Sequence, residues 1–335
     1  MHEQSRPKRF RVGVIGAGQI ATECHLPALA VSEDVEIAWV ADRDLRRAQS
    51  VAKSFRLTAV EYRDSIESLP AADAVLLAVP YGVRAPMYPA IASKFGAVYV
   101  EKPFALTLEQ HEQQCAGFAP ERIACGYQRR SSGPVRALRQ IIAAKLFGAL
   151  KAVHMGFGGP GVKTGGRYSS SLAMAGGGIL FEVGVHGLDM VLHVTDAVSS
   201  APLSVKMIKT EGIDIHTSAT LDVKTADGQS FPFDLVVTGL EYTSNTHEFV
   251  FEHASITFGL FGEQAIVVQP RDGSKPFKMH SELMDYPRTS SQLFHEHWRC
   301  FFDAMRSGAA NVTSASSSRV TTGAIEQLYA EGART

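Results

Sequence analysis

Lys102 stands at the end of the apolar run GAVYVE and directly before Pro103, a place where a lysine is seldom left without a task. The run reads as a buried parallel strand, and desolvating an ammonium at its end is costly unless a partner or a ligand compensates. In an open α/β sheet ligands bind outside the carboxyl ends of the strands, so Lys102 would point into a cleft and hold or protonate an oxygen. A salt-bridged loop lysine is the plain alternative. A second group lies in GGGILFEVGVHGLDMVLHV, where Gly176, Gly177 and Gly178 precede an apolar helical pattern. It carries Glu182, His186, Asp189 and His193 at spacings of four, three and four, which puts all of them on one helix face. A histidine titrates near neutrality, so His186 suits the work of a general base. Histidines and carboxylates so spaced can also converge on a metal, but the nearby nucleotide motif already supplies a chemical context, and no metal is expected. Gly184 and Gly187 weaken the helix, which implies that something packs closely against it.

That nucleotide motif lies at the start of the chain. RVGVIGAGQIA runs from a β-branched strand into Gly16, Gly18 and Ala21, the spacing of a dinucleotide fingerprint, with Gln19 and Ile20 inside the turn. Gly16 permits the tight turn, Gly18 lets a pyrophosphate approach the backbone, and Ala21 keeps the helix near the strand with its N-terminus toward the phosphates. A second strand, VEIAWVAD, ends at Asp42, 21 residues after Ala21. A carboxylate there accepts hydrogen bonds from ribose hydroxyls and repels a 2′-phosphate, which favours NAD; Arg43 beside it keeps NADP open.

Strand and helix patterns alternate to about residue 128, including ADAVLLAVP, which ends at Val79 and Pro80, and ERIACGYQ as a last strand. The chain is therefore expected to divide into a nucleotide-binding domain, residues 1–128, and a second α/β domain, residues 129–335. In the latter, PVRALRQIIAAKL reads as an amphipathic helix and KAVHMGFGG as a strand; a Gly/Ser-rich loop over 158–178 carries Lys163, Arg167 and Tyr168 as candidate substrate contacts. From Leu203 to about Val268, alternating runs broken by turn signals such as Asp227-Gly228 predict an antiparallel meander. Two helices follow from His295 to Tyr329; His295-Glu296-His297 lacks the zincin spacing and reads as a polar helix face.

A length of 335 residues with 45% hydrophobic content suits two cores, and a net charge of −1 gives no reason to expect nucleic acid or an anionic membrane as partner. The basic RPKRFR start reads as solvated rather than as a signal peptide, and no bilayer-spanning stretch is expected. Cys24, Cys115, Cys125 and Cys300 form no CxxC pair, as expected of free thiols in a reducing cytoplasm.

Taken in order, VIGAGQIA, the Glu101-Lys102-Pro103 triplet and GGGILFEVGVHGLD resemble the glucose-fructose oxidoreductase and inositol dehydrogenase family over nearly the whole chain. The resemblance implies a Rossmann domain followed by an α/β domain with an open, mostly antiparallel sheet that helps form the substrate cleft and an oligomer interface, in a homodimer or homotetramer. It implies a cis Lys102–Pro103 bond and hydride transfer between nicotinamide and a secondary alcohol of a sugar, cyclitol or sugar derivative. His186 would take the hydroxyl proton, Lys102 would hold the same oxygen, and Glu182, standing where the family carries aspartate, would position His186 or a neighbouring hydroxyl. Arg129 would contact substrate. Arg84, four residues after Pro80, replaces a usual histidine and would meet the ligand near the nicotinamide; Val79, Pro80, Glu101 and Lys102 would border the cofactor. Two other activities of such relatives stay open at this point, glycoside cleavage through transient oxidation and non-catalytic dinucleotide-dependent regulation.

Overall fold

The computed structural model describes residues 9–161, 172–259, 265–287 and 289–334. They fall into two compact units, each assembled from separated stretches of chain.

The first unit holds six strands, β1 (Phe10–Ile15), β2 (Val35–Asp42), β3 (Thr58–Glu61), β4 (Ala74–Leu77), β5 (Val98–Val100) and β6 (Ile123–Cys125). Their order is β3-β2-β1-β4-β5-β6 and every neighbouring pair is parallel. Both faces are covered, so the central strands are largely apolar: Val12, Val14, Val40, Leu76 and Tyr99 are fully buried. The order reverses between β1 and β4, and the crevice beyond their carboxyl ends is where such a sheet receives a ligand. Helix Ser290–Ser307, started by a Thr289–Gln292 capping box, packs Phe294, Trp298, Phe301 and Phe302 into this same core. Trp298 stacks on Tyr99 with ring centroids 4.3 Å apart, and Phe302 stacks on Phe10 at 4.8 Å.

The expected division into 1–128 and 129–335 is corrected by two exchanges. Residues 289–317 belong with the nucleotide unit, and residues 103–111 with the second one. The cause is burial: the aromatic face of Ser290–Ser307 completes the parallel sheet's core, whereas His111 bonds Thr322 through Nδ1 at 2.9 Å and Leu108 N donates to Glu326 at 3.0 Å.

The second unit contains β7 (Leu150–Gly158), β8 (Ala197–Thr210), β9 (Ile213–Thr225), β10 (Ser230–Thr238), β11 (Thr246–Phe251), β12 (Ala254–Gly259), β13 (Ile266–Pro270) and β14 (Phe277–Met279). The sheet order is β14-β13-β12-β11-β7-β10-β9-β8, mostly antiparallel. The expected simple meander is interrupted by β7, which lies between β10 and β11 and is parallel to β10. Strict burial alternation along β11 and β12 shows one covered face, as the two-residue period of a strand dictates. The helical segment bearing the glycine-led motif, Leu180–Gly184 as a π-turn and Val185–Val194 as α-helix, is tied by a buried ion pair. Arg130 Nε and Nη2 grip Asp189 Oδ2 and Oδ1 at 2.8 and 2.5 Å, and the Thr321 hydroxyl donates to Oδ1 at 2.8 Å. One stretch, Leu172–Val194, has the length and apolarity of a membrane span, but 72% of its most apolar part is buried inside the protein, as in a core helix.

Candidate active site

At the nucleotide end, β1 leads into Gly16, whose φ of +102° and contact with the Ala78 carbonyl leave no room for a side chain. Ala17 N donates to Asp42 Oδ2 at 2.9 Å, and Asp44 N donates to Asp42 Oδ1 at 2.9 Å, so the acid both closes the turn and caps its own loop. A Cβ on Gly18 would meet no atom within 4 Å, the open backbone a pyrophosphate requires. Gln19 is exposed and bonds Glu23 at 3.0 Å, while Ile20 precedes the π-turn Ala21–His25 that begins the helix. Arg43 is exposed and pairs with Asp64 at 2.5 Å; Arg47, missed in the sequence, comes within 3.6 Å of Asp42. These groups fit a dinucleotide, with Gly16 making the turn and Gly18 leaving its backbone open.

Beyond β4, Val79 and Pro80 are half-buried, and Val79 abuts the Gly16 turn. Arg84 is 5% exposed, and its guanidinium donates to the Val79 carbonyl at 2.8 Å and to the Glu101 carbonyl, bracing the two strand ends. The Glu101 carboxylate turns inward onto His25 Nε2 at 2.7 Å, because a buried charge needs a hydrogen-bonding partner. Burial alone would push this carboxyl up, but the His25 bond and the Lys102 and Arg84 charges outweigh it and hold it below its usual range. Lys102 is half-buried at the mouth of β5. The Lys102–Pro103 bond is trans, the form a tertiary amide slightly prefers; the cis bond is Tyr286–Pro287.

In the second unit, Gly178 and Leu180 nitrogens donate to Asp214 at 2.7 and 2.9 Å, and the Tyr329 hydroxyl adds 2.6 Å to the same carboxylate. This anchors the start of the helix that presents His186. A small pocket is lined by Arg129, Met155, Phe157, Val183 and Gly184 together with His186 and Gly187. Gly184 lies against Val237 and Gly187 against Met155 and His247, so the close packing expected of these glycines is present. Burial draws the Arg129 guanidinium down to about 10. Glu182 is half-buried, and its N–H continues the helix to the Gly178 carbonyl at 2.9 Å. Asp189 is not available on the expected polar face, since it is spent in the Arg130 ion pair, and His193 sits in the last helical turn. Lys163, Arg167 and Tyr168 lie outside the described residues. No cluster of three or more metal-ligating side chains occurs among the described residues.

The sequence reading missed His25, Trp298, Asp214, Tyr329 and Arg130. His25 carried a local signal, lying four residues after Ala21 in the fingerprint helix; Asp214 and Trp298 carried none, since their partners are remote in sequence.

Comparison with known proteins agrees with this fold. The model of an oxidoreductase family with an NAD-binding Rossmann fold (GFO/IDH/MocA) matches residues 10–121, and that of the GFO/IDH/MocA C-terminal domain matches residues 135–257. A dTDP-3,4-didehydro-2,6-dideoxy-alpha-D-glucose 3-reductase of Streptomyces antibioticus is 29% identical over 55% of this chain and 56% of its own. A D-glucoside 3-dehydrogenase of Escherichia coli (strain K12) is 28% identical over 55% of this chain and 54% of its own. The chain thus spans little more than half the length of these relatives. A 3-ketoreductase from Actinomadura kijaniata, solved with NADP and TDP-benzene, shares the fold with a TM-score of 0.77 at 20% identity, covering 96% of this chain and 98% of that one.

Proposed function

The chain belongs to the GFO/IDH/MocA oxidoreductase family, and on that premise we propose that it moves hydride between nicotinamide and a secondary alcohol of a sugar, cyclitol or sugar derivative. The observation that carries the reading is the pocket in which His186 and Arg129 share the lining beside two helix glycines. Bound nicotinamide supplies the hydride acceptor. In the oxidative direction His186 takes the hydroxyl proton while the carbon gives up hydride and its C–O bond becomes a carbonyl. Lys102 donates to the same oxygen and stabilises the charge that develops there. Glu182 holds His186 or an adjacent hydroxyl, and Arg129 orients the substrate.

Asp42 favours NAD, with NADP the alternative that Arg43 and Arg47 would serve. Relatives named for reactions at position 3 of a hexose make that carbon the first to test. The decisive experiment follows nicotinamide absorbance with NAD or NADP against glucosides, inositols and amino sugars, and with 3-keto sugars in the reductive direction. Failure of every alcohol and ketone, or release of free sugar without net cofactor reduction, would overturn the dehydrogenase reading. A homodimer or homotetramer is part of the proposal, as is a reducing cytoplasm, which the free thiols support.

A further inference from the structure

Behind Lys102 lies a chain of buried side chains that the proposed reaction does not use. Glu101 accepts from His25 Nε2 at 2.7 Å, and His25 Nδ1 accepts from the Trp298 indole at 2.9 Å. An indole N–H only donates, so the ring hydrogen of His25 sits on Nε2 and faces the carboxylate. Tyr99 and Phe294 meet the same imidazole edge-on, with centroids 5.2 and 4.8 Å away, which leaves it no second orientation. The backbone is gripped as well. Arg84 holds the Glu101 carbonyl, and a Cβ on Gly126 would come to 2.7 Å from Glu101 Oε1 and 3.3 Å from the Lys102 nitrogen.

We propose that Trp298, His25 and Glu101 form a positioning relay that keeps Lys102 protonated and fixes the backbone that aims it. The proposal rests on the reading of Lys102 as the group that holds the reacting oxygen. Charge coupling is reciprocal: the Lys102 ammonium helps keep Glu101 ionised, so an ionised Glu101 keeps Lys102 protonated. Each neighbouring element contributes to this balance. Arg84, from the loop after β4, acts on Glu101 in the same sense as Lys102 and helps keep the buried carboxylate ionised. Tyr99 on β5 and Cys24 on the fingerprint helix are both pushed up by burial and by Glu101, so they stay neutral and do not compete. His297, from the same helix as Trp298, is committed to the Cys125 carbonyl at 3.0 Å.

Glu101→Gln keeps the shape and removes the charge. The test is competitive acetylation of the folded protein across alkaline pH, with labelling at Lys102 read by peptide mass spectrometry. The apparent pKa of Lys102 should fall by about one unit or more in Glu101→Gln, and the alkaline limb of kcat should move down with it. Trp298→Phe, which removes the donor that fixes the His25 tautomer along with part of a buried ring, should move Lys102 in the same direction by less, and serves as the test should Glu101→Gln fail to fold. A lowered melting temperature with an unmoved Lys102 titration in the variant that folds would make these residues structural and overturn the relay. Labelling does not depend on turnover. Undiminished kcat in Lys102→Ala would therefore strike at the reaction assigned to Lys102, and an unmoved titration at the relay alone.

Discussion

Asp42 has a structural role beside the recognition role proposed for it, and that changes what its removal should do. Its two oxygens already accept from Ala17 N and Asp44 N. Asp42→Ala should narrow the ratio of NAD to NADP efficiency, and should also destabilise the nucleotide unit by about 1–3 kcal/mol because two backbone donors lose their acceptor. Paired kcat/KM values and urea unfolding would check both; an unchanged cofactor ratio beside a loss of stability would leave Asp42 as a turn residue only. For the reacting pair, Lys102→Ala and His186→Ala should each lower kcat by about a hundredfold or more with NAD affinity nearly unchanged, since they serve the developing charge and the proton. The double variant should lose less than the product of the two, as expected for groups acting on one oxygen, and fully multiplicative losses would separate their tasks. At this scale the Gly16 turn was legible, because few residue types can take its positive φ; the roles of Asp42, Lys102 and His186 belong to the proposed function. The inward partners of Arg84 and Glu101 were not legible, because sequence shows that a charge is present but not which backbone carbonyl or side chain it meets.

The helix that carries His186 depends on a support outside itself. Its first free nitrogens end on Asp214, a residue of β9, and Tyr329 of the helix Arg319–Glu331 completes that carboxylate's shell. Tyr329→Phe removes one donor and should cost about 0.5–1.5 kcal/mol, whereas Asp214→Ala leaves buried N–H groups without an acceptor and should cost about 3 kcal/mol or more. Denaturant midpoints would measure both, and equal losses would show that the carboxylate is not the centre of the support. The glycines of this helix were readable as places of close approach, and the alternating strands as a half-covered sheet. The β7 insertion was not, since strand order is set by long-range pairing that leaves no mark on the two-residue period. The same limit hid the return of Ser290–Ser307 to the nucleotide unit: its aromatic face announces burial but does not name the sheet it covers.

For the molecule as a whole, a buried histidine gives folding stability a pH dependence. His247 on β11 is fully buried, stacked against Phe258 at 5.8 Å between ring centroids. Burial, reinforced by the Arg129 charge and opposed only by the Gly187 backbone, pulls its imidazole down to about 3. In the unfolded chain the same ring takes a proton below about pH 6.5. Between these values the unfolded state holds the extra proton, so the stabilisation is whole above the upper pH and is lost as pH falls toward the lower one. The contribution to the slope should approach about 1.4 kcal/mol per pH unit in that window. His247→Phe keeps an aromatic ring against Phe258 and removes the titrating group. Urea unfolding of the ligand-free protein at several values between about pH 4.5 and 7 should give a shallower loss of stability in the variant than in the parent, even if its stability at neutral pH is lower. Parallel curves would mean that the ring is already protonated in the folded state, and the buried neutral histidine behind the Met155–Gly187 wall of the pocket would have to be abandoned.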